Sequence, residues 1–178
     1  MVDNFSGAYN AICYLINNSH RRIAHIGGSM TSKVFRERFE GYKKALIDHH
    51  IDPDHRLIRE TRLTKEDCCL VLKDILACKN PPNAALCANN LTAITTIFYA
   101  QSVGLHIPDD LAVIGFSVDP FSMLMKPSLT AVQQPVQEMG KMAIESLVDE
   151  LECHARQRTA VYQEIILATK LVLRESFG

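Results

Sequence analysis

Short apolar runs recurring between helical stripes restrict this chain more than any other feature. "RIAHIG" (22–27), "AALCA" (84–88) and "LAVIGF" (111–116) are almost continuously apolar, with no alternation of polar and apolar residues. A strand with one wet face alternates, whereas a strand covered on both faces does not. A briefer strand is expected at 57–60. The windows between these runs carry the helical period. The spacing predicts a helix over 32–48 with Phe35, Phe39, Tyr42 and Leu46 on one face. A second opens at Thr64, with Asp67 in capping-box position and an inner face of Cys68, Val71, Leu72, Ile75 and Leu76; "KNPPN" stops it. A third runs over 90–103, with Gly104 at its C-terminal end. Ahead of the first strand, Ala8, Ala11, Ile12, Leu15 and Ile16 mark a helix over 4–18.

Alternating strands and helices of this length require parallel strands joined by right-handed crossovers. The expected fold class is therefore α/β, an open doubly wound parallel sheet. Beyond residue 116 the pattern changes. "KPSLTAVQQP" reads as an extended crossing segment. A helix is expected over 136–152, with Met139, Ala143, Leu147 and Leu151 on one side. "CHARQRTA" reads as a polar linker, and 161–174 as two short strands around Ala168-Thr169-Lys170.

In such sheets ligands bind beyond the carboxyl ends of the strands. Four strand ends supply that rim: Gly27-Gly28-Ser29, Thr61-Arg62-Leu63, Asn89-Asn90, and Phe116-Ser117-Val118-Asp119. The Gly-Gly pair has neither the GxGxxG nor the GxxxxGK[ST] spacing of a phosphate loop and reads as a tight turn. One Asn of the pair caps the following helix, leaving the other to offer an amide to a ligand. Arg36 and Arg38 lie near the start of the second helix on the same rim. A guanidinium there is either a solvated charge or a clamp for hydroxyl pairs, carboxylates or phosphates.

The 178 residues suit one domain, and the net charge of -1 includes no basic block that would mark a nucleic-acid surface in this chain. No run of ~18 apolar residues suggests a membrane span. The start "MVDNFSGAYN" has no basic region followed by an apolar one, so it does not read as an export signal. Six cysteines form neither a CxxC pair nor a zinc spacing. They read as small core hydrophobes in a reducing, cytoplasmic compartment. Seven scattered histidines give no convergent nucleophile and base. No catalytic residue, metal ligand or cofactor is assigned, and a binding module fits better than an enzyme.

The segments "VDNFSGAYNAICYLINNSHRRIAHIGG", "RERFEGYKKAL", "PPNAALCANNLTAI", "GLHIPDDLAVIGF", "PSLTAVQQPVQEMG" and "LVLRES" occur in one order across nearly the whole chain. Together they resemble the effector-binding core of lac/galactose/purine repressor-type (LacI/GalR) transcriptional regulators, which has a periplasmic-binding-protein-like fold. The resemblance implies a C-terminal piece: a second subdomain, about 5–130 and 160–178, plus a helix, about 135–153, belonging to a missing first subdomain. It implies a homodimer that touches DNA only through a headpiece absent from this chain. It also implies a small effector (sugar, sugar phosphate or nucleobase) held in an inter-subdomain cleft.

Carried over by position, Arg38 grips the effector, Asn89 and Asn90 stand at the third strand's end, and Gln134 faces the cleft. Phe116 would be an apolar floor and Ser117 a polar contact. Three positions depart from the family pattern. Asn90 and Ser117 stand where Asp is usual, and Leu63 where an aromatic often covers the ligand. A less acidic cleft suits a phosphorylated or acidic effector, with Arg38 as counter-charge. Two other readings stand beside this one: a sugar transporter's solute-binding protein of the same fold, and an α/β enzyme whose site is not visible in sequence.

Overall fold

The computed structural model describes residues 1–117, 120–155 and 164–177. Helix α1 (Asn4–Asn17) precedes strand β1 (Ile23–Gly27) and helix α2 (Lys33–Asp48). Then come β2 (Ile58–Glu60), α3 (Lys65–Leu76), β3 (Ala84–Cys87), α4 (Asn90–Ser102) and β4 (Ala112–Phe116). Strand β5 (Thr130–Gln133), helix α5 (Val136–Ala155) and strand β6 (Lys170–Val172) complete the order. The strands form one sheet in the order β2-β1-β3-β4-β5-β6. The first five are parallel and β6 runs antiparallel to β5.

The lack of alternation in the apolar runs has a direct cause. Successive strand residues point to opposite faces, and each face carries its own core. Ile23, Leu86, Ile114 and Phe116 pack with Ile12, Leu15, Tyr42 and Leu46 of α1 and α2. Ala24, Ile26, Ala85, Cys87 and Val113 pack with Leu72, Ile75 and Ile97 of α3 and α4. Both faces are dry, so both strand registers must be apolar.

Helix ends follow the local chemistry. The Asp3 carboxylate accepts from Ser6 N at 2.9 Å, and the Asn89 side chain from Thr92 N at 2.8 Å. Thr64 Oγ1 accepts from Asp67 N at 3.3 Å, while the Asp67 carboxylate reaches back to Arg62 N at 2.8 Å. Gly104 follows α4 with φ +87°, a conformation few other residues adopt cheaply.

Two expectations differ from what is observed. The segment read as a crossing contains β5, paired parallel with β4 through Ile114↔Thr130 and Phe116↔Val132. Its apolar signal is only Ala-Val, bracketed by Pro127 and Pro135, too short to read as a strand from periodicity. The two strands expected in 161–174 reduce, within the described residues, to β6 and an isolated parallel bridge between Val2 and Leu167. Residues 156–163, including most of the expected linker, lie outside the described residues, as do the rim residues Val118 and Asp119.

Helices α1 and α2 cross at Gly41. A Cβ there would meet the Phe5 carbonyl oxygen, and would lie 3.0 Å from Ala8 Cβ and Tyr9 N. Gly140, inside α5, has open space around it. Gly41→Ala is expected to lower unfolding free energy by about 1–3 kcal/mol through overpacking. Gly140→Ala is expected to raise it by about 0.5–1 kcal/mol through helix propensity. Urea titration followed by circular dichroism checks the opposite signs.

Candidate functional site

The parallel topology sends the carboxyl ends of β1, β3, β4 and β5 to one rim, and Arg38 sits behind it on the second turn of α2. Its side chain is only 6% exposed. Nε and Nη2 both donate to Asn4 Oδ1, at 2.9 and 2.8 Å. Nη1 donates to the carbonyl of Ala88, at the end of β3. The guanidinium lies over the Phe116 ring, 4.0 Å from its centroid, with Phe35 at 5.9 Å. A cation over an aromatic face is favourable, more so when desolvated.

No carboxylate forms an ion pair with Arg38 among the described residues. Burial pulls its pKa down to about 10, and the nearby Glu37 charge offsets only part of that. The group stays protonated at neutral pH. Three of its five N–H groups have protein partners by the bonds above, which leaves one N–H on each terminal nitrogen.

Arg38 and Gln134 line one cleft of about 380 Å³, together with Asn4, Lys33, Glu37 and Met139. Two of the residues expected at the site are thus brought together. Lys33 at its edge pairs with Glu37 at 3.7 Å and Glu164 at 3.6 Å. Leu63, Asn89, Asn90 and Ser117 do not line this cleft; they stand at neighbouring strand ends. Asn89 caps α4, and Asn90 opens it half-buried. Leu63 and Ser117 are half-buried and adopt left-handed backbone, φ +61° and +74°. Such geometry is uncommon away from glycine and clusters at ligand sites. Ser117 N donates to Val132 O at 2.9 Å. Phe116 is fully buried; it underlies the arginine and does not form the surface of the rim.

Asn4 was not singled out from the sequence. It is 5% exposed, and its Nδ2 donates to Glu37 Oε2 and to the Val2 carbonyl, both at 3.2 Å. In sequence it reads only as the first residue of a helix. No local signal ties it to a residue 34 positions away.

His25, on β1, lies between Phe39 and Tyr42, with ring centroids at 5.5 and 5.1 Å. It is completely buried and neither ring nitrogen has a hydrogen-bond partner. Burial, and secondarily the Arg38 charge, push its pKa down to about 4 from 6.5. The fold therefore holds the ring neutral where an unfolded chain would take up a proton. This contribution to stability is complete above pH 6.5. It is lost as pH falls towards 4, by about 3 kcal/mol in all. His25→Leu is expected to remove that part of the acid sensitivity. Urea titrations of both proteins at pH 7.5, 5.5 and 4.5 check this; parallel losses in the two would contradict it.

Comparison with known proteins adds the following. A family model described as a periplasmic binding protein-like domain matches residues 12–177. The probable HTH-type transcriptional repressor ExuR of Bacillus subtilis is 34% identical over 173 residues, 96% of this chain and 50% of that protein. The ribose operon repressor of Haemophilus influenzae is 31% identical over 170 residues, with the same two coverages. The chain thus spans about half the length of the curated relatives it matches. Among solved structures, a LacI-family regulatory protein from Chloroflexus aggregans superposes with a TM-score of 0.89 at 31% identity, over 99% of this chain and 62% of that one. A transcriptional regulator CelR–cellobiose complex gives 0.90 at 28% identity, over 98% and 52%.

Proposed function

The chain belongs to the periplasmic binding protein-like domain family, in the form found in LacI-type regulators, and from that premise we propose that it is the effector-sensing part of a ligand-responsive transcriptional repressor. Its work is binding, not catalysis. A small molecule at the carboxyl rim shifts the population between two arrangements of subdomains, and so of DNA-binding headpieces that this chain does not carry. The named relatives, all regulators, favour this over a transporter's solute-binding protein of the same fold. A regulator of this kind acts in the cytoplasm; none of the described helices is long and apolar enough to cross a membrane.

The observation that carries the reading is Arg38, a cation fixed at the rim with one N–H left on each terminal nitrogen and, among the described residues, no carboxylate in an ion pair with it; the charge of nearby Glu37 offsets its burial only in part. By the family resemblance Asn90 and Ser117 stand where an acid is usual, and neither adds a negative charge to the rim. We read the effector as a sugar, sugar phosphate or nucleobase-sized molecule, and favour one bearing a phosphate or carboxylate. Leu63, Asn89, Asn90, Ser117 and Gln134 would complete its contacts, with Phe116 supporting Arg38 from below.

The rim is one wall of a cleft, and a first subdomain would supply the other. In this reading helix α5 packs on that first subdomain. Val136, Ile144, Leu147, Val148 and Leu151 are all exposed on it, a stripe that needs a cover. Leu91 and Phe98 of α4 and Leu70 of α3 are also exposed, in keeping with a homodimer face on this subdomain.

Thermal-shift measurements on the full-length regulator and on this chain test the proposal, with glucose, glucose 6-phosphate, glucuronate and adenine as probes. An anionic sugar is expected to stabilise the full-length protein, by about 2.7 kcal/mol at a hundredfold excess over Kd. Arg38→Met should weaken that binding by about 10- to 100-fold, from loss of charge-assisted hydrogen bonds. Stabilisation by glucose alone would overturn the anionic effector. No response to any small molecule of these classes would overturn the sensor.

A further inference from the structure

We propose that Asn4 is the positioning residue of the effector arginine, and that it passes the state of Arg38 to the paired segments at 1–3 and 165–167. Its significance for sensing rests on the function proposed above.

The geometry is a continuous chain of hydrogen bonds. The Asn4 oxygen receives the whole Nε/Nη2 edge of Arg38. The Asn4 amide nitrogen donates to the Val2 carbonyl. Val2 bridges to Leu167, flanked by Asp3 N→Leu167 O at 2.9 Å and Leu167 N→Met1 O at 2.7 Å. These two stretches are the backbone that leads into α1 and into β6. The first turn of α1 is pressed against the sheet there: a Cβ on Gly7 would lie 2.9 Å from Val132 Cγ1 and 2.7 Å from Thr169 Oγ1. Asn4 therefore stands between a charged group at the rim and the backbone pair beside it, and touches both.

An amide side chain is suited to this position because it accepts and donates at once. The oxygen fixes the orientation of the guanidinium, so its remaining N–H groups are presented in one direction. The nitrogen ties that orientation to the Val2 carbonyl. An effector that draws the guanidinium towards itself weakens its bonds to the Asn4 oxygen. The Asn4 side chain is then held only through its nitrogen, by Glu37 Oε2 and the Val2 carbonyl, and the support it gives to the Val2–Leu167 pairing weakens. In reverse, a change in that pairing alters how Arg38 is presented.

Hydrogen exchange on this chain, without ligand, measures the coupling. The reporters are the amides of Asp3 and Leu167, with Ala112 as a reference in the sheet, where its N–H is bonded to Asn83 O at 3.1 Å. Arg38→Met keeps the apolar stem and removes the donors. It is expected to speed exchange at Asp3 and Leu167 by tenfold or more relative to Ala112. Asn4→Ala should do the same, and the double variant no more than either. Tyr42→Phe, which loses the bond from Tyr42 Oη to Ile23 O at 2.8 Å, controls for general loss of stability and should not change that ratio. If Arg38→Met does not fold, Arg38→Lys serves, because an ammonium lacks the planar fork that meets the Asn4 oxygen.

The proposal is overturned if the Arg38 variant leaves the ratio unchanged, if only the Asn4 variant moves it, or if the double variant adds the two effects. The experiment uses no effector. Coupled exchange with an unsuccessful ligand screen would sink the sensing function alone, and uncoupled exchange with a successful screen would sink the relay alone.

Discussion

Burying a guanidinium costs more than any single hydrogen bond returns, so the surroundings of Arg38 must be built to hold it. Four elements contribute. The α2 helix carries the residue, α1 supplies Asn4, the turn just after β3 supplies the Ala88 carbonyl and β4 supplies the Phe116 face. None of these groups is an anion. The charge is solvated by dipoles and a quadrupole, and it remains available to a negative partner. The same charge acts on its own layer of the core. His25, on the same sheet face, is held neutral by burial and by repulsion from Arg38. One cation in that layer excludes a second.

The parallel sheet turns this arrangement into a site. Strand ends that are far apart in sequence meet at one rim, and the left-handed residues Leu63 and Ser117 turn the chain sharply just past β2 and β4. Neither position is glycine, so both carry a steric cost that the surrounding structure maintains. Under the proposed function the rim is one wall of a cleft, and the exposed apolar stripe of α5 is a surface that a first subdomain would cover.

Much of this was legible in the sequence because it depends on local pattern. Two dry sheet faces write themselves as unbroken apolar runs, and helical stripes at Phe39, Tyr42 and Leu46 follow from one-sided packing. Arg38 could be placed at the rim because α2 begins directly after β1. What stayed hidden depends on distant pairings. The Asn4 contact spans 34 positions and leaves no periodic trace. Strand β5 is too short and too closely bracketed by prolines for its period to register. Phe116 reads in sequence as an apolar floor, but nothing in the run it ends shows that Arg38 lies over it. Its burial under Arg38 depends on a helix two crossovers away.

The most direct test of the central claim is the Arg38 side chain itself, by ¹⁵N NMR of the arginine Nε–H groups, with the Arg38 signal assigned by its loss in Arg38→Met. A buried Nε–H bonded to Asn4 and lying over an aromatic ring should give a resolved signal, shifted from the other arginines and slow to exchange with water at neutral pH. An Arg38 signal with the shift and exchange of a solvated arginine would contradict the account, because the cation would not then be held at the rim.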